Sequence, residues 1–212
     1  MKKSVFIILC GVLPMLMMAQ NTTVKDCQGH VYPVVKIGNQ VWMAENLQCT
    51  KYDTQSERAG AGLSSIGKGE TPYYADIRYD DMQESVNLTN EQRNHLGLLY
   101  TWIAAIGYVD VHSINQAGSN NGRRQGICPN GWHIPSRAEW DSLRDYIAGN
   151  KLWKPSEGLN VGTHLKTTNG WFKGDGYMEG DNISGFSALP AGNNGGRLGE
   201  IATFWASDAR YN

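Results

Sequence analysis

The sequence predicts one loop-heavy domain in which short strands and tight turns accompany two helices. Three observations predict it. Charged residues make up only 18 % of the chain while Gly (25), Tyr (10) and Trp (7) are plentiful, a balance that suits short strands and turns rather than a helical bundle. Two β-prone runs, Val31 to Ile37 and Gln40 to Met43, are separated by only Gly38-Asn39. Ser136 is followed three residues later by Glu139, ahead of an amphipathic stretch.

The chain opens with Lys2 and Lys3, then runs almost without polarity through residues 4–19 and ends at Ala19 before Gln20 and Asn21. A charged start, an apolar middle and a small closing residue form a secretory signal peptide, expected to span residues 1–19 and to be removed. The run is shorter than the roughly 20 apolar residues of a membrane span, and Pro14 interrupts it. No transmembrane span is expected after cleavage, and Cys10 reads as part of the signal. Loss of Lys2 and Lys3, with no acid lost, takes the net charge from −1 to −3. No net positive charge is left to follow a phosphate backbone, so nucleic acid is not an expected partner.

Residues 20–212 are long enough for one domain with its own core, and no internal repeat is evident. Gly38 heading a two-residue connection is the signature of a type II′ hairpin. Cys27 and Cys49 bracket that hairpin. Export permits disulfides, and cysteines just outside two antiparallel strands can meet, so Cys27–Cys49 is the expected bridge. Cys128 is then left over.

Residues 51–70, rich in Gly, Ser and charge, read as a long surface loop, and the chain re-enters the fold near Tyr73-Tyr74. Leu96, Leu99, Tyr100, Ile103 and Ile106 fall at three- and four-residue spacing, which predicts a helix over residues 94–106 stopped by Gly107. Residues 112–125 are a second polar loop. Ser136 and Glu139 form a capping box, and Trp140, Leu143 and Ile147 give the following helix one apolar face that Gly149 can close. Beyond it lie short aromatic segments between Gly and Asn: Trp171-Phe172, Phe186 to Pro190, and Phe204-Trp205.

Four ordered blocks carry a resemblance to a known family. They are Gly29-His30-Val31-Tyr32 with Val35 to Leu47 (VKIGNQVWMAENL), Gly97-Leu98-Leu99-Tyr100-Thr101-Trp102, Cys128 to Ser136 (CPNGWHIPS) with Ala138-Glu139-Trp140, and Gly185 to Gly192 (GFSALPAG). Over about residues 25–208 the chain resembles the family named for the major paralogous domain of Fibrobacter succinogenes. The Pro135-to-Trp140 block also resembles formylglycine-generating-enzyme-like domains. The resemblance implies an α+β, C-type-lectin-like fold: a short twisted antiparallel sheet, two helices and long loops. Two departures stand out. Family members usually have no cysteines at the places of Cys27 and Cys49. They also usually continue into closing strands bearing a cysteine that would partner Cys128, so the resemblance implies a C-terminally truncated domain whose open sheet edge invites self-association.

For chemistry the pattern offers little. The histidines (His30, His95, His112, His133, His164) show no metal-ligand spacing, and His133 reads as structural. Asp175, Glu179, Asp181 and Asn182 offer oxygen ligands to calcium, yet they lack the alternate-residue order of an EF-hand loop; a solvated acidic loop is the ordinary explanation, and no cofactor is expected. The late cysteine pair of formylglycine-generating enzymes is missing. Trp171, Phe172 and Tyr177, beside those acids, are the candidate ligand-binding residues, because exposed aromatics with short polar neighbours suit glycans or peptides. Trp42, Trp102, Trp132, Trp140 and Trp205 are expected in the core. The expected function is a non-enzymatic, secreted or surface-associated interaction module that binds a protein or polysaccharide through residues 51–70, 112–125 and 167–182. The alternative is a secreted enzyme that acts on glycans with the loop carboxylates Asp175, Glu179 and Asp181.

Overall fold

A computed structural model describes residues 23–56, 58–63, 74–76 (backbone only), 95–107, 123–149, 160–174, 179–193 and 197–208. Strands β1 (Thr23–Lys25), β2 (Val31–Ile37) and β3 (Gln40–Met43) form an antiparallel sheet in the order β1-β2-β3. A separate two-stranded ladder joins β4 (Tyr74–Asp76) to β5 (Leu98–Tyr100). Helices α1 (Trp102–Ile106), α2 (Arg137–Gly149) and α3 (Val161–Leu165) complete a small α+β fold with long connections.

The hairpin forms as its sequence predicts. Ile37 pairs with Gln40 across Gly38-Asn39, and Gly38 has a φ of 60°, the left-handed value that a type II′ turn needs at its first position. A side chain there would also meet the Tyr146 ring at 2.8 Å, so Gly38 is the point where α2 closes on the turn. The capping box is present as well. Glu139 Oε2 accepts from the Ser136 N–H at 2.8 Å, and the Glu139 N–H donates to Ser136 Oγ at 3.3 Å.

The predicted helix over residues 94–106 is only half right. Residues 98–100 are strand β5, and the helix begins at Trp102 behind a Thr101 cap, ending at Gly107 with φ 81°. The cause lies at Gly97. Its φ of 76° is incompatible with a right-handed helix, and the chain there lies so close to the preceding segment that a Cβ would stand 2.5 Å from Asn46 Cβ. Leu98 then donates to the Leu47 carbonyl at 3.0 Å. A tertiary contact overrides the local periodicity.

Residues 51–63 also depart from a free surface loop. The Tyr52 hydroxyl donates to the Ala104 carbonyl and Ser56 Oγ to the Gly126 carbonyl, both at 2.7 Å, with Tyr52, Asp53 and Ser56 buried. Residues 64–73 and 112–122 lie outside the described residues, as do the signal segment and Cys10.

Two larger clusters make the core. Ile37, Trp42, Leu143, Ile147, Trp171, Phe186 and Ala188 join the hairpin to α2 and the 171–188 segment. Cys49, Tyr52, Ala105, Ile127, Cys128 and Ile134 fill the space behind α1. In the second, burial pushes the Cys128 thiol up to about 12, so it is a small hydrophobe at neutral pH rather than a reactive thiolate.

Candidate functional site

A cleft of about 710 Å³ opens along β3. One wall is built by the hairpin and α2: Trp42 from β3 and Trp140 from the first turn of α2 stand with ring centroids 4.7 Å apart. Phe186 lies 5.7 Å from Trp42, edge-on, and Phe204 lies 5.4 Å from Trp140 and 5.7 Å from Phe186. Offset and edge-to-face arrangements of this kind hold aromatic groups in fixed positions. The wall therefore comes from four separate parts of the chain.

Phe204 and Trp205 reach the cleft on an extended segment fastened by indole donors. Trp102 Nε1 donates to the Ala206 carbonyl (2.9 Å), Trp140 Nε1 to the Trp205 carbonyl (3.2 Å) and Trp205 Nε1 to the Tyr100 carbonyl (2.8 Å). The Ser207 N–H donates to the Pro135 carbonyl, and Asp208 accepts from the Arg137 N–H in the first turn of α2, where a helix N-terminus favours a carboxylate. Held in this way, the segment leaves apolar surface outward. Trp205 is 46 % exposed, Phe204 42 % and neighbouring Val41 51 %.

Both carboxylates on the cleft wall are paired. Glu139 Oε1 meets His133 Nε2 at 2.9 Å and Arg123 Nε at 3.8 Å. Burial alone would raise the Glu139 carboxyl, but the Ser136 N–H and then His133 outweigh it and hold the group below its ordinary value. Glu45, also on the wall, bonds His95 Nδ1. Each of the four described histidines meets one carboxylate, His30 with Asp26 and His164 with Asp181 being the other two. Among the described residues no three His, Cys, Asp or Glu side chains come together as a metal site.

Those predicted ligand-binding residues that the structure describes do not line the cleft. Trp171 is buried at 8 % exposure, with Nε1 donating to Thr167 Oγ1 at 3.1 Å and the Lys166 ammonium 4.5 Å from the ring. Phe172 is exposed. Glu179 pairs with Lys173 at 2.7 Å, Asp181 with His164 Nδ1 at 2.7 Å, and Asn182 with the Ser187 N–H and hydroxyl at 2.9 Å. Asp175 and Tyr177 fall outside the described residues. Trp205, expected in the core, is instead half-exposed. No sequence signal separates the two tryptophans, since each stands beside a phenylalanine in a short segment that also holds small or polar residues.

Cys27 and Cys49 come close, but the expected bridge is not formed. Their sulfurs are 3.9 Å apart, as two free thiols that share the Lys51 carbonyl as acceptor.

These features define a small α+β domain that presents an aromatic cleft. Its residues 35–212 match the model of the Fibrobacter succinogenes major domain, and the chain belongs to that family. No curated protein and no solved structure matches it.

Proposed function

We propose that the chain is a non-enzymatic interaction module, exported from the cell, whose binding face is the cleft beside β3. One observation carries the reading: Val41, Phe204 and Trp205 stay exposed around the aromatic wall although Trp205 is anchored by its indole and its carbonyl. A monomeric surface does not usually present clustered large apolar side chains without a use for them. Aromatic planes held rigid by hydrogen bonds bind sugar faces or apolar peptide side chains at small entropic cost. The candidate ligand is therefore a protein or a polysaccharide, reached through the cleft instead of the 167–182 loop. Titration of the purified chain against glycan and peptide panels tests this. Saturable binding without turnover, lost in a Phe204→Ala/Trp205→Ala double variant, is the expected result. Binding indifferent to that variant removes the cleft from the reading, and turnover that fails in Asp175, Glu179 or Asp181 variants replaces the module with a glycan-acting enzyme.

Export itself rests on the N-terminal signal, and among the described residues no helix is long and apolar enough to cross a membrane. An oxidising compartment would join Cys27 to Cys49, closing the loop around the hairpin and adding on the order of 3 kcal/mol by chain-entropy reasoning. Intact mass after thiol alkylation checks both points. The expected product begins near Gln20 and exposes one alkylatable thiol before reduction and three after; residues 1–19 retained, or three thiols from the start, overturns export.

A further inference from the structure

We infer that the cleft accepts an extended segment of a partner protein, added as a new strand on the free edge of β3. The inference rests on the reading of the cleft as a binding face. In the β2–β3 ladder Ile37 pairs with Gln40 and Val35 with Trp42, and the Ala44 N–H continues the pattern onto the Pro33 carbonyl at 2.8 Å. Backbone groups alternate sides along a strand, so Gln40, Trp42 and Ala44 face β2 while Val41 and Met43 turn their N–H and C=O groups outward. Among the described residues nothing pairs with that outward edge.

An edge meant for solvent is blunted with lysine, proline or a bulge. Strand β1, at the far side of the sheet, carries Lys25; β3 reads Gln-Val-Trp-Met and carries none of these. Every residue of β3 lines the cleft. A strand laid about 4.8 Å from β3 would place every second side chain on the Trp42, Trp140 and Phe204 wall, and those side chains fill a cleft that a flat edge would leave empty. The wall also carries Arg123, 75 % exposed and only 3.8 Å from a Glu139 carboxylate that His133 and Ser136 already hold. The partner segment is thus apolar at alternate positions and bears an acidic residue for Arg123. Main-chain hydrogen bonds supply its affinity and the alternate side chains its specificity.

The experiment selects a displayed library of random nine-residue peptides against the whole chain, then measures the selected peptide by fluorescence anisotropy and amide hydrogen exchange. Proline is tolerated on an edge strand where its nitrogen faces solvent, so Val41→Pro removes one outward donor without breaking the β2–β3 ladder. Strand addition predicts slowed exchange at Val41 and Met43. It also predicts affinity weakened about tenfold or more, as for a lost hydrogen bond in a dry site, both in Val41→Pro and for the peptide N-methylated at alternate residues. The methylated peptide keeps the test alive if the proline variant does not fold. Peptide binding that ignores both changes but disappears in Phe204→Ala/Trp205→Ala overturns strand addition and leaves the cleft standing. No enriched peptide, with cellohexaose bound instead, likewise overturns the strand and retains the cleft. Binding of neither overturns both.

Discussion

Trp171 and Trp205 invite comparison because their surroundings in sequence are alike and their fates are opposite. Each neighbours a phenylalanine in a short segment late in the chain. Trp171 finds its indole partner four residues back, at Thr167, and the ring sinks into the cluster with Ile37, Leu143 and Phe186. Trp205 finds its partner 105 residues away, at Tyr100, and the ring stays at the surface. A locally satisfied indole travels inward with its own loop. One satisfied across the fold is pinned where the two segments meet, with its face outward. Distance along the chain to the hydrogen-bond partner, which composition does not contain, separates the buried tryptophan from the presented one.

The sharpest way to break that comparison is truncation of each ring. Trp171→Ala empties a core site and should cost about 3–5 kcal/mol, while Trp205→Ala removes a half-exposed ring and one hydrogen bond, about 1–2 kcal/mol. Urea midpoints of the two variants check this, and equal losses would put Trp205 in the core after all. The effect on ligand binding should run the other way, with Trp205→Ala abolishing what a folded Trp171 variant keeps.

A smaller effect sharpens the account of the cleft wall. Glu139 is held below its ordinary value of 4.5 in the folded chain, so its contribution to stability is present above that value and is lost as pH falls through the lower folded one. Asp26, where the Tyr32 hydroxyl and then His30 and Gln28 outweigh burial, is depressed in the same direction and adds to the same acid limb. Glu139→Gln keeps an amide able to serve the capping box. It should change stability at pH 7 by under about 1 kcal/mol and flatten the decline between pH 4.5 and pH 3. Denaturation midpoints at the two pH values measure it, and an unchanged decline would mean that the His133–Glu139 contact contributes nothing in solution.

Several elements were legible in the sequence alone. The hairpin was, because a two-residue connection led by glycine leaves little choice of register; the capped helix was, because Ser136 and Glu139 satisfy each other locally. The strand at Leu98–Tyr100 was not, since its apolar spacing imitates a helix and only the approach of Asn46 to Gly97 forbids one. Residues 51–63 looked like free loop because nothing in their composition announces that Tyr52 and Ser56 will bond carbonyls on distant segments. The cleft was the least legible feature. Trp42, Trp140, Phe186 and Phe204 come from four places in the chain, and no periodicity links them.

The hairpin, the capped helix, the family and the approach of Cys27 to Cys49 were readable from the sequence, because their residues have near partners or a diagnostic spacing. Only the tertiary structure decided which aromatic rings are buried and which are presented, and that the edge of β3 lies along the cleft. Those outcomes depend on hydrogen bonds and ring contacts between segments about a hundred residues apart, and burial at a given position is a property of everything that folds over it.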